Sequence, residues 1–230
     1  MKVSEIRVKV YTLNDIPVSR VTQVITHYID SSLAKTEELL NYHENNQFKN
    51  YCFNSLYPVE KDMVYKKDRI YTFIVRTVDA DLARYFSEKL RNHCTNELKG
   101  LTVENRIIQR KTIDELYTLT PIILKTDNGY WKNTMSVDDF EKRLFENAVK
   151  KYNDYANVKI DENFQFYTNI KFLNKNPISM KYKRIHLVGD KICLKIADNE
   201  QAQDLAYFVV GTGLCEMNSR GYGYCNYHWL

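Results

Sequence analysis

Glycine and proline are scarce in this 230-residue chain, seven and four in all. So few turn residues exclude collagen-like, low-complexity and linker-rich architectures. Cysteine is sparse and odd in number. Cys52, Cys94, Cys193, Cys215 and Cys225 are scattered with no CxxC pair, which argues against zinc-site spacing and a disulfide framework and for reduced thiols in the cytoplasm. No apolar run approaches the ~20 residues of a membrane helix, so no membrane partner is expected. The opening MKVSEIRVKVYTL alternates apolar and charged residues, the pattern of a strand and not of a signal peptide. Strong charge imbalance is missing too: a net +4 barely favours nucleic acid over other partners.

What is present is a core and an order of elements. Hydrophobic residues make up 44% and charged residues 27%, enough for one large domain or two of ordinary size. Ile6, Val8 and Val10 alternate with charge, giving a half-buried first strand. Pro17 and Ser19 start a helix with Val21, Ile25, Tyr28 or Ile29, Leu33 and Leu40 at helical spacing. Strands are predicted at 50–57 and 69–77, a helix capped by Asp79 or Asp81, and a strand at 101–111. The order β-α-β-β-α-β then repeats. A strand lies at 117–125, followed by a turn at Asn128-Gly129. Ser136 caps a helix carrying Phe140, Leu144 and Ala148, and strands follow at 164–173, 178–188 and 191–197. A short helix from Asn199 ends at Gly211, and a last strand spans 221–228. The fold class expected is α+β, two tandem ferredoxin-like (RRM-like) domains at residues 1–113 and 114–230.

Two features of the second half point toward a polyanion. Lys171, Lys175, Lys181, Lys183, Arg184, Lys191 and Lys195 face a single acid, Asp190. A solvated face explains such a run about as well as a phosphate groove does. Four of the seven glycines, Gly211, Gly213, Gly221 and Gly223, fall within thirteen positions near the C-terminus. Gly211 is expected to end the last helix. The others allow positive φ and close approach of backbone N–H groups to an anion, or form a tight loop with no ligand. Residues 220–227, RGYGYCNY, nearly fit the RNA-recognition signature, although its place in the chain refuses an ordinary RNA-recognition domain.

The stretch GLCEMNSRGYG (213–223) resembles the C-terminal glycine-rich loop of the CRISPR repeat-cleaving endoribonucleases, the guide-RNA-processing enzymes of the RAMP superfamily. That pattern is G-x-G, five residues, then G-aromatic-G, and Cys215 stands in place of its second glycine. FKNYCFNSLYPVEKDMVYKKDRIYTFIVRT (48–77) is similar to the family's strand-hairpin segment. The family's catalytic spacing, a helical tyrosine, a later histidine and a lysine six positions on, is met by Tyr28, His43 and Lys49.

The resemblance implies cleavage by the substrate's own 2′-hydroxyl, giving 2′,3′-cyclic phosphate and 5′-hydroxyl ends, with no cofactor and no metal. Such chemistry needs a base, an acid and a cation for the phosphorane. His43 suits proton transfer near neutral pH, Lys49 supplies the charge, and Tyr28 could donate a hydrogen bond or act as the acid. RNA contacts are expected from Lys181, Lys183, Arg184, Gly213, Asn218, Arg220, Gly221 and Gly223. The expected partners are CRISPR repeat RNA, its precursor, a multisubunit CRISPR complex and a second copy of the chain. The rival reading is a non-catalytic guide-RNA-binding subunit of the same superfamily. A third is a small-molecule-binding regulatory protein of duplicated ferredoxin-like fold.

Overall fold

The computed structural model describes residues 1–35, 47–127 and 129–230; Leu40, His43 and Asn128, named above, lie outside them. Strand β1 (Val3–Thr12) sends Ile6, Val8 and Val10 into the first core and leaves Glu5, Arg7 and Lys9 on the other face, as the pleat dictates. After the short β2 (Ile16–Pro17) comes helix α1 (Val18–Leu33), then β3 (Tyr51–Phe53), β4 (Val64–Tyr65) and β5 (Ile70–Thr77). Helix α2 (Ala80–Lys89) opens at Asp79, whose carboxylate accepts from the N–H groups of Asp81 and Leu82. Strand β6 (Leu98–Ile108) completes an antiparallel sheet of order β3-β5-β1-β6. One face of this sheet packs on α1 and α2 through Phe73, Val75, Ile25, Tyr28, Leu82 and Phe86.

Four residues later the pattern restarts. Strand β7 (Ile113–Thr118), α3 (Val137–Ala156), β8 (Tyr167–Phe172), the hairpin β9 (Ile178–Tyr182) and β10 (Ile185–Gly189), then β11 (Ile192–Ile196), α4 (Glu200–Thr212) and β12 (Cys225–Trp229) follow. The main sheet, β12-β7-β11-β8, has the same relative order as the first. The fold is therefore two ferredoxin-like units, with β9–β10 inserted between the second and third strands of the second.

Several boundaries differ from expectation, three of them for a plain local reason. The strand predicted over 117–125 is β7, which ends at Thr118; Pro121 has no N–H to give a ladder, and Ile122 and Ile123 make only isolated bridges. The strand predicted over 178–188 is a hairpin, turned at Lys183 with φ +52°. The last strand begins at Cys225 and not at 221, because Gly221 and Gly223 hold φ of +84° and +64°.

Helix α4 joins the halves. It runs on to Thr212 and is capped by Gly213 at φ +81°, so Gly211 is not its cap. A Cβ at Gly211 would lie 2.8 Å from Val78 Cγ1 and 3.1 Å from Val3 Cγ2. Its bare Cα lets α4 close on the first unit. Tyr207 of α4 accepts from Val3 N–H at 3.2 Å and donates to Ile108 O at 2.6 Å. A second tie is polar. Glu5 and Arg76 lie side by side on the face of the first sheet away from its helices, both buried, with the carboxylate 2.8 Å from the guanidinium. Arg76 also donates to Cys225 O (2.7 Å) and Asn226 Oδ1 (3.1 Å) of β12 and covers the Tyr224 ring at 4.7 Å.

Candidate functional site

On the helical side, where α1 meets the β9–β10 hairpin and the loop after α4, a groove of about 790 Å³ opens. Lys49, Lys125, Lys151, Tyr182, Ser219 and Arg220 line it. Gln23 of α1 donates to Lys181 O at 2.9 Å and pins the hairpin against the helix. The Arg220 guanidinium is ion-paired with Asp30 of α1, so residues 190 positions apart meet at the groove wall. Lys49 sits beside this pair. Burial, then the like charge of Arg220, lowers its pKa, while Asp30 partly offsets the two. The result is a cation that gives up a proton more readily than a surface lysine does.

The glycines of the loop turn inward. The N–H of Gly213 donates to Val209 O (2.7 Å), that of Gly221 to Asn218 O (3.0 Å) and that of Gly223 to Pro121 O (2.9 Å). All three N–H groups are thus matched within the protein, so the expected approach of these glycines to RNA does not run through free backbone donors. A Cβ at Gly221 would meet Phe53 Cε2 at 2.6 Å and Thr22 Cγ2 at 2.7 Å, and one at Gly223 would lie 2.0 Å from Leu214 O. Asn218 is likewise committed: its amide donates to Leu214 O (2.9 Å) and Tyr222 O (3.0 Å), and its oxygen accepts from Lys151 Nζ (2.9 Å). Cys215 itself holds φ +58°, which explains why glycine suits that position elsewhere. Tyr222 and Tyr224, two of the three aromatic positions of the near-match to the RNA-recognition signature, are buried at 0% and 1% exposure and present no ring to a base.

Of the predicted catalytic set, Lys49 lines the groove and His43 lies outside the described residues. Tyr28 does not face the groove. It is wholly buried, its hydroxyl donates to Leu90 O at 2.6 Å, and its ring stands edge-on to Phe73 and His93. Burial raises its pKa, away from service as a base. This is the core tyrosine that its spacing from Val21 and Ile25 describes. Tyr28→Phe should therefore keep RNA cleavage within about threefold. Leaving Leu90 O unmatched should cost about 1–3 kcal/mol of stability, checked by thermal unfolding beside single-turnover cleavage.

Lys181, Lys183 and Arg184 are exposed on the hairpin, while Lys195 pairs with Asp114 on the second sheet. The basic run is thus split between two places and is not one surface. The sequence reading missed Asp30, Lys125 and Lys151. Lys151 carried a signal, standing three and seven residues beyond Ala148 and Leu144 on the apolar stripe of α3. Asp30 and Lys125 carried none. Among the described residues no group of three His, Cys, Asp or Glu side chains is placed to hold a metal ion, and no helix is long and apolar enough to cross a membrane.

The two-unit fold has counterparts among known proteins. The chain is 26% identical over 213 residues to the CRISPR-associated endoribonuclease Cas6 2 of Methanocaldococcus jannaschii, covering 85% of this chain and 87% of that protein. A solved RAMP protein described as binding different RNA substrates superposes with a TM-score of 0.74 at 17% identity, covering 98% and 99% of the two chains. A Cas6-related protein from Pyrococcus furiosus does so at 0.69 and 14%, covering 98% of each. The model of the family "CRISPR associated protein Cas6, C-terminal" matches residues 103–227. That match takes in the second unit from its first strand through the inward-turned glycines to β12, and with it the chain belongs to the Cas6 family.

Proposed function

We propose that this chain is an endoribonuclease that cleaves CRISPR repeat RNA without a metal ion. The 2′-oxygen beside the scissile phosphate forms a bond to phosphorus and its proton passes to a base. The P–O5′ bond breaks, the leaving 5′-oxygen takes a proton, and the products carry a 2′,3′-cyclic phosphate and a 5′-hydroxyl.

The observation that carries this reading is the meeting of Lys49 and Arg220 beside Asp30 in one groove. Two cations at that point suit a phosphorane, whose charge exceeds that of the ground-state phosphodiester. His43 precedes Lys49 by six residues, a reach of at most ~20 Å, and supplies the proton-transfer group. Tyr28 has no direct part. Lys181, Lys183 and Arg184 extend the cationic track along the hairpin and bind backbone phosphates. The glycine loop acts by holding Arg220 and Ser219 at the wall, not by touching RNA through its glycines.

The test is incubation of the protein with labelled repeat RNA in excess EDTA, beside a substrate bearing one 2′-deoxy nucleotide at the cut. The expected result is undiminished cleavage of the first and loss of at least about a thousandfold with the second, since the nucleophile itself is gone. Cleavage that stops in EDTA, or that survives the 2′-deoxy change, overturns the mechanism. Tight binding with no cleavage would move the chain to the non-catalytic guide-RNA-binding class.

A further inference from the structure

Lys151 is a charged residue where the sequence pattern asks for an apolar one. It lies on the inner stripe of α3, 4% exposed, and forms part of the groove's lining. An ammonium has three N–H bonds to satisfy, and all three are matched. Nζ donates to Gly213 O at 2.5 Å, to Asn218 Oδ1 at 2.9 Å and to Cys215 O at 3.2 Å. None of these acceptors is a carboxylate. Burying a charge without a counter-ion in contact costs several kcal/mol, and burial lowers its pKa to about 8, which leaves it charged at neutral pH. A methionine would fill the same stripe without that cost, so thermal stability alone does not account for the lysine.

Its partners show what it does. Gly213 and Cys215 belong to the outgoing arm of the loop and Asn218 to its crown. The Asn218 amide closes the circuit to Leu214 O on one arm and Tyr222 O on the other. Within this circuit Cys215 and Met217 both hold left-handed φ, +58° and +63°, a conformation that non-glycine residues adopt only when their surroundings impose it. Asn218 is followed directly by Ser219 and Arg220, which form the groove wall.

We infer that Lys151 is a positioning residue for RNA: its ammonium clasps the glycine-rich loop from below and fixes the wall that presents Ser219 and Arg220, while itself touching no RNA. This rests on the RNA-cleaving reading of the groove. It assigns the work of the loop to a side chain 62 residues upstream of Gly213.

The test compares full-length wild type with Lys151→Met, which keeps the stem and removes the charge, using repeat RNA as the probe. Affinity should fall at least about tenfold and KM should rise accordingly, and kcat at saturating RNA should fall as well, because the loosened wall carries Arg220. The slope of log affinity against log salt should not change, because no phosphate contact has been removed. A direct phosphate contact would lower that slope by about one. Hydrogen exchange should quicken at amides 214–222 and stay constant in the β1–β5 ladder. Unchanged affinity in a folded variant, or a slope smaller by about one, overturns the inference. Should Lys151→Met fail to fold, Asn218→Ala removes the other half of the clasp and carries the same expectations and the same refutation. Wild type that binds no repeat RNA sinks the underlying reading instead, a result distinct from either.

Discussion

His43→Ala should leave repeat RNA bound and uncut. General acid–base catalysis by a placed side chain contributes about 10²–10⁴ in rate, so single-turnover cleavage should drop by that factor with affinity within threefold of wild type. On the proposed mechanism RNA brings its own nucleophile, and the protein adds proton traffic and charge, the charge coming from Lys49 and Arg220. Guanidinium does not give up its proton in proteins, and the lowered pKa of Lys49 makes its ammonium the readier donor. Tyr28 is occupied with Leu90 O. In the proposal, proton removal then falls to His43 and protonation of the 5′-oxygen to Lys49. Cleavage by the His43→Ala variant within tenfold of wild type would remove it from the chemistry and direct attention to His27, which is exposed on α1.

Arg76→Met should have the largest effect on stability. Breaking a buried ion pair by removing one partner costs about 3–5 kcal/mol, because the other charge is left without compensation. For a chain of this size that corresponds to a fall in Tm of roughly 6–20 °C. Arg106 remains beside Glu5 but is 60% exposed, so it replaces little. The loss also falls between the two units, since the same guanidinium holds Cys225 O and Asn226 Oδ1 of β12. The pH dependence has a definite sign. Burial would raise the Glu5 carboxyl, but Arg76 and then Arg106 outweigh it and hold it below the usual range. In wild type the Glu5 contribution is therefore present above the unfolded carboxylate pKa of ~4.3 and lost as pH falls through the lower folded value. In Arg76→Met burial dominates and the folded pKa rises. The gap between the two proteins should be widest near neutrality and narrow below about pH 4–5. A gap that is constant from pH 7 to 3, read from denaturant unfolding, would show that Glu5 is not the charge at issue.

The order of elements was legible because periodicity is a local property. Ile6, Val8 and Val10 alternate, Asp79 and Ser136 cap what they were expected to cap, and two β-α-β-β-α-β runs follow from that alone. The site was legible in part, and for a physical reason. Lys49 and Arg220 were identifiable by type and by resemblance, yet their meeting at Asp30 depends on how α4 seats one unit on the other. The glycines were visible, but their purpose was not. Whether a bare Cα faces a ligand or a neighbour such as Phe53 is decided by contacts 168 positions away. Glu5 and Arg76 each looked like a surface charge on a half-buried strand. Only the register that sets Glu5 opposite Arg76, and the arrival of β12 over both, turns them into a buried pair.

The groove is also divided along the message that encodes it. Lys49 is encoded well before the wall facing it, with Arg220 and the loop that Lys151 clasps. A ribosome that stalls or a message cut short anywhere between the two yields a polypeptide with the lysine and nothing opposite. Such a fragment also lacks the Cys225 carbonyl that Arg76 grips, so its Glu5–Arg76 pair is left without the cover of β12. A product that stops short of the loop is in this way unable to assemble the groove.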